Sequence, residues 1–179
     1  MDANPASNAA IAPRAPEPQP PDEPGFVAVP NPEPVHRIAS FVSADPAGRR
    51  LRLAFWKRPA DAGASGVVIV ARTWFGPDAE GPPGHAHGGA IAAVLDEVMG
   101  VAVWESGYRV VSASLDIRFH APVPLGTDTA VRAELTEVDG RRIRVHGAIR
   151  GPENILYASA RGLFVEVDDA MFRKLMARG

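Results

Sequence analysis

Apolar residues change their spacing several times along this chain, and each change marks an element. LRLAFWKR (51–58) alternates apolar and polar side chains, and GVVIVARTWF (66–75) is dense in β-branched and aromatic residues. Both stretches predict strands, with PADAGAS as the turn between them. GPDAEGPPG (76–84) is rich in Gly and Pro and predicts a loop. From Gly88 or Gly89 to about Glu105 the spacing becomes helical, apolar on nearly every side, and SGY closes the segment. Four more strands are predicted at VVSASLDIRF (110–119), TDTAVRAELTEV (127–138), RRIRVHGAIR (141–150) and ILYASARGLFVEV (155–167). The Asp-Gly of VDGRR predicts a hairpin, and DDAMFRKLMAR predicts a short final helix with Asp168 as its N-cap.

Two strands, one long helix and four strands give an α+β pattern with a mainly antiparallel sheet. A helix apolar all round must be covered on most sides, so the pattern predicts a strongly curved sheet wrapped around it. No internal repeat is present.

Composition adds a tail. Ten of the 18 prolines fall within residues 1–34, a segment with no apolar periodicity and too little apolar surface to offset the entropy of ordering. Residues 1–35 are expected to be a disordered or loosely extended Pro-rich tail, with a Pro-rich recognition peptide as the alternative, and residues 36–179 one domain. Net charge is −2, which gives no nucleic-acid footprint or polybasic membrane patch. The chain has no cysteine, which excludes disulfides, a thiol nucleophile and thiolate zinc sites. The N-terminus lacks the pattern of a secretory signal and VMGVAVW is too short to span a bilayer. A cytoplasmic protein with no membrane span is expected.

The candidate chemistry lies at GPPGHAHGGAIAAVLDEVMGVAVW (81–104). A helix N-terminus offers unpaired N–H groups and partial positive charge, and glycine lets a ligand approach them closely. Gly88 and Gly89 therefore suit a carbonyl oxygen that becomes negative during reaction; the plainer reading is a tight turn into the helix. Asp96 and Glu97 sit mid-helix about 100° apart, so one can face a cleft as a base while the other is paired structurally. A salt bridge to an arginine is the competing reading for either. Gly88 and Asp96 are separated by about 12 Å along the helix, so they cannot touch one reacting carbonyl within one chain. If both act, two chains share the site, which a two-fold dimer arranges.

Alternation along 110–119 places Leu115, Ile117 and Phe119 on one face and Ser112, Ser114, Asp116 and Arg118 on the other. A serine near a helical carboxylate can hold a water, although a lone strand serine is usually only a satisfied polar residue. His85-x-His87 lacks a third ligand at a familiar spacing, so no metal is expected. No GxSxG, P-loop or GxGxxG motif is present. Arg141, Arg142 and Arg144 are either phosphate contacts or a solvated edge. Trp74, Phe75, Trp104 and Tyr108 either line a pocket or pack the core.

GPPGHAHGGAIAAVLDE together with SASLDIRFHAPVPLG resembles the hotdog-fold acyl-CoA thioesterases, in their phenylacetyl-CoA thioesterase-like branch, over about residues 40–167. It also resembles the mammalian thioesterase-superfamily members that hydrolyse fatty acyl-CoA. The resemblance implies a homodimer or dimer of dimers acting on an acyl-CoA or acyl-carrier-protein thioester without cofactor. It implies that His87 shapes the loop, the Gly88 N–H polarises the thioester carbonyl, and Asp96 of the opposing subunit is base or nucleophile. Ser112 fits the strand Ser/Thr that positions water or carboxylate. Some family members carry asparagine six residues before the histidine; here Gly81 stands there. Glu97 is then structural. Gly89, Arg118, His120 and Arg142 are candidates for binding the substrate. A hydratase or dehydratase on an acyl thioester, and a non-catalytic acyl-CoA-binding protein, are the alternatives.

Overall fold

The computed structural model describes residues 15, 17–30, 41–42, 45, 48–61 and 66–176. Most of the expected tail, residues 1–14, 16 and 31–35, lies outside the described residues. The strands are β1 (Val27–Val29), β2 (Leu51–Pro59), β3 (Val67–Phe75), β4 (Val110–Phe119), β5 (Asp128–Asp139), β6 (Arg142–Arg150) and β7 (Leu156–Glu166). The helices are α1 (Gly88–Glu105), between β3 and β4, and α2 (Asp169–Met176), after β7. Asp168 caps α2 by accepting from Met171 N–H at 2.7 Å. Gly140 holds the β5–β6 hairpin at φ 54°, a backbone shape that glycine adopts without strain.

The seven strands form one antiparallel sheet in the order β1-β2-β3-β5-β6-β7-β4. The chain leaves β3, runs through α1, and lays β4 at the far edge. Then β5 returns to pair with β3. Helix α1 touches β3, β5, β6, β4 and β7, so the sheet wraps it. This is the hotdog arrangement.

Alternation decides which face of each strand meets the helix. Leu53 and Phe55 on β2, Ile69, Ala71 and Phe75 on β3, Val131 and Ala133 on β5, Ile143 and Val145 on β6 and Phe164 on β7 form one buried cluster. Ile91, Val94, Leu95, Val98, Met99, Ala102 and Val103 of α1 complete it. Trp74 and Phe75 are at most 1% exposed, so of the four candidate pocket aromatics these two are packing. Burying side chains of that size contributes about 1.5–3 kcal/mol each.

Small residues let the helix sit close to the sheet. A Cβ on Gly147 would meet Met99 at 3.0 Å, and one on Gly162 would meet Phe164 at 2.7 Å and Leu115 at 3.3 Å. Gly162→Ala is therefore expected to destabilise the fold by about 1–3 kcal/mol, the usual cost of overpacking. A urea melt measures it, and an unchanged midpoint would show that the core accommodates the methyl.

Two departures from the sequence pattern bear on the site. The first is β1, a three-residue strand within the Pro-rich segment, paired with Phe55–Lys57 of β2. The second is a β-bulge in β4 between Ser112 and Ser114. One inserted residue resets the alternation. Ser112 therefore faces α1, as do Leu115 and Ile117 beyond the bulge; the expectation that Ser112 opposes them is corrected. Among the described residues no helix is long and apolar enough to cross a membrane.

Candidate active site

The loop before α1 is fixed by its own backbone. His87 N–H donates to Ala79 O at 2.8 Å, Gly81 N–H to His85 O at 2.9 Å, and Ala86 N–H to Val123 O at 2.9 Å. Gly84 N–H donates to the Glu80 carboxylate at 2.7 Å. These bonds tie residues 79–87 to the turn after β4 and set the position at which the helix begins.

His87 is the N-cap of α1, in an extended conformation at φ −65°, ψ 136°. Its ring Nδ1 accepts from Gly89 N–H at 2.9 Å, which leaves the neutral ring's proton on Nε2. The capping bond consumes the Gly89 donor. Gly88, at the first helical position, has no acceptor four residues back within the helix, and no acidic residue in the first turn offsets the positive helix end. The Gly88 N–H is therefore the donor that the helix start leaves without a helical partner, and Gly89 serves the cap. His87→Ala should cost about 1 kcal/mol of stability through the lost cap, with His87→Asn recovering most of it. Thermal melts of both variants check this, and equal melts would rule out a capping role.

A Cβ on Gly81 would lie 2.8 Å from His87 Cα. The loop packs directly on His87, which accounts physically for glycine where some relatives of the motif have asparagine.

Asp96 lies just over two turns into α1, half-buried, and Ser112 Oγ donates to Asp96 Oδ1 at 2.7 Å. The bulge makes this possible, because it turns Ser112 towards the helix. Among the described residues the carboxylate is held by a neutral donor and forms no ion pair with an arginine. Ser112→Ala should lower turnover about tenfold, the loss of one positioning bond, while the melting temperature stays nearly unchanged. A large drop in melting temperature with unchanged turnover would make the serine merely structural. Glu97 is also half-buried.

The two halves lie at opposite ends of β4. Phe119, at its C-terminal end, has its ring beside Gly88, 3.6 Å from where a Cβ would stand. It is 56% exposed. Sequence reading did not place Phe119 beside the helix start, although its position just before His120-Ala-Pro was the available signal. Arg118 and His120 belong to this end, and His120 Nε2 is 2.9 Å from Ser159 Oγ. Arg142 lies at the other end, opposite Val165, which in turn pairs with Val111 beside Ser112. Its neighbours have structural partners: Arg141 donates twice to Glu166 O, and Arg144 pairs with Glu137 at 3.4 Å. His85 Nδ1 lies 2.9 Å from Pro83 O. Among the described residues no group of three or more His, Asp or Glu side chains is placed to hold a metal.

One chain thus presents the N–H of a helix start at one end of an edge strand and a serine-held carboxylate at the other. Known proteins resemble the chain in sequence and fold. Residues 83–158 match the family model of the Thioesterase superfamily. Acyl-coenzyme A thioesterase THEM4 of Bos taurus is 36% identical over 94 residues, 52% of this chain and 38% of the relative. The chain thus matches well under half the length of that protein. A crystal structure described as a thioesterase superfamily protein is 34% identical with a TM-score of 0.56, covering 63% of this chain and 53% of the other. A Streptococcus pneumoniae hypothetical thioesterase protein, solved with coenzyme A, shares the fold at 17% identity and a TM-score of 0.56, over 63% of this chain and 85% of its own.

Proposed function

We propose that this chain, a hotdog fold whose residues 83–158 form a thioesterase-superfamily segment, hydrolyses acyl-CoA thioesters at sites shared between two copies. The observation that carries the reading is the pairing of Ser112 with Asp96 at one end of β4 and the Gly88 N–H at the other.

Among the described residues strand β4 pairs on one side only, with β7. Its other edge presents a row of N–H and C=O groups along ten residues, a template for another strand. Two β4 edges related by a two-fold axis run antiparallel. That pairing brings the Phe119 and Gly88 end of one copy against the Ser112 and Asp96 end of its partner. It removes the 12 Å conflict within one chain and creates two equivalent sites. It also gathers Arg118 and His120 of one copy and Arg142 of the other near one substrate, where cations meet the phosphates of CoA.

The chemistry needs no cofactor. The Gly88 N–H and the positive helix end stabilise the thioester oxygen as it gains charge. Asp96 removes a proton from water as the water oxygen bonds to the carbonyl carbon, or attacks that carbon itself and leaves the acyl group to water afterwards. In either course the carbon–sulfur bond breaks, the thiolate takes up the proton, and a free acid and CoA result. Ser112 keeps the carboxylate aimed. CoA, rather than a carrier protein, is favoured by the names of the curated relatives and by the neighbour solved with coenzyme A.

Thiol release from short, long and aromatic acyl-CoAs tests the reading. The cysteine-free chain contributes no thiol background. Sedimentation is expected to give twice the chain mass or a multiple of that dimer. A monomer that turns over substrate would remove the shared site.

A further inference from the structure

The face of the sheet turned away from α1 carries a different constellation. Register places Ala54, Arg72, Ala130 and Arg150 side by side across β2, β3, β5 and β6. The next row holds Trp56, Val70, Arg132 and Ala148. Small side chains between large ones leave a hollow of about 660 Å³, floored by Val70, Ala130 and Ala148 and walled by Arg72, Arg132 and Arg150. Pro21, Asp22 and Glu23 of the segment before β1 stand at its lip.

These arginines are poorly served by their own chain. Asp128 makes its close contact with Arg52, at 2.6 Å, and lies 4.0 Å from Arg72. The Nε of Arg72 and the Nε and Nη1 of Arg52 are buried without a hydrogen-bond partner. Arg132 donates a long hydrogen bond to Glu23 at 3.4 Å and lies 3.8 Å from Glu134. Arg150 donates to Asn154 O at 3.0 Å and has no carboxylate among the described residues. A buried guanidinium donor without a partner is costly, so such a cluster favours an acceptor from outside.

We propose that this hollow binds a phosphate-bearing small molecule between Arg72, Arg132 and Arg150, with the acidic segment at Asp22–Glu23 as its intramolecular competitor. Guanidinium forks match phosphate oxygens bidentately, and a dianion offsets the Arg72 and Arg150 charges together. Glu23, which reaches both Arg132 and Arg58, occupies part of that field. A ligand must displace it. The hollow lies on the opposite face of the sheet from Asp96 and Ser112, so it is a separate site from the one proposed for hydrolysis.

Isothermal titration of the full chain at low salt tests this, with inorganic pyrophosphate and adenosine 3′,5′-bisphosphate as probes. Saturable binding of either probe is expected. Binding by the nucleotide alone would name a CoA-type phosphate as the source, and binding by pyrophosphate would name a free one. Arg150→Gln, at an exposed position, should weaken binding about tenfold, one charge-assisted contact. Glu23→Gln should tighten it about threefold by removing the competitor. Arg144→Gln, on the same face but beyond the hollow, should change nothing. Ala148→Glu, which supplies an internal carboxylate, should abolish binding and raise the melting temperature. No binding in either wild type or Glu23→Gln overturns the proposal, as does binding that Arg150→Gln and Arg144→Gln weaken equally. Because binding is read directly, loss of hydrolysis elsewhere leaves the result intact.

Discussion

Asp96→Asn is expected to lower turnover about 10³-fold on any acyl-CoA the protein hydrolyses, within the range a positioned general base supplies. The substitution is nearly isosteric and keeps an oxygen to accept from Ser112 Oγ, so the 2.7 Å bond and the fold persist. What disappears is the ability to take a proton from water or to attack carbon. Substrate affinity should stay close to wild type, because the carboxylate acts on the reacting atoms and not on the CoA phosphates. Steady-state thiol release together with a binding titration makes the measurement. Retention of most activity would remove Asp96 from the mechanism, whereas binding without turnover in wild type and variant alike would favour the acyl-CoA-binding reading.

Gly88→Pro isolates the other half. Proline at the first helical position is pre-organised for a helix and lacks only an N–H that the helix does not use. The preceding residue must be extended, and His87 already is, at ψ 136°. The new Cβ would meet Phe119 at 3.6 Å, an ordinary contact. The variant should therefore fold and cap normally while turnover falls about 10²–10³-fold, the usual effect of losing one oxyanion donor. Unchanged turnover would exclude the Gly88 N–H. The two variants also combine: a mixed dimer of Asp96→Ala and Gly88→Pro chains holds one intact site, made of Gly88 from one and Asp96 from the other. Random mixing makes half the dimers mixed, so about one quarter of wild-type activity should return from two inactive proteins. No recovery after demonstrated subunit exchange would place each site within a single chain.

The helix was the most legible element. Its unbroken apolar spacing from Gly88 or Gly89 and the SGY stop predict the observed Gly88–Glu105; alternation marks β2, whose inward face is buried, and β-branched and aromatic residues mark β3, which is buried on both faces. Asp96 stood out because an acid within an apolar helix demands a reason. The partner of that acid was less legible. Strict alternation put Ser112 on the wrong face, since a bulge adds one residue without any mark in composition. The capping role of His87 was hidden because histidine is not among the favoured N-caps. Strand β1 escaped because three residues between prolines show no period. The arginine hollow depends on register across four strands, and no local window of sequence contains it.

The position of β4 has a consequence for how the molecule is made. Among the described residues it pairs only with β7, whose register begins about 40 residues later in the chain. During synthesis α1 leaves the ribosome before four of the five strands that cover it, with Val94, Leu95, Val98 and Met99 still bare. Contacts this distant in sequence slow folding, and an apolar segment exposed in the interval is prone to aggregate or to engage a chaperone. A nascent chain halted before β7 should thus be protease-sensitive throughout, and protection should arrive in a single step once Glu166 has emerged.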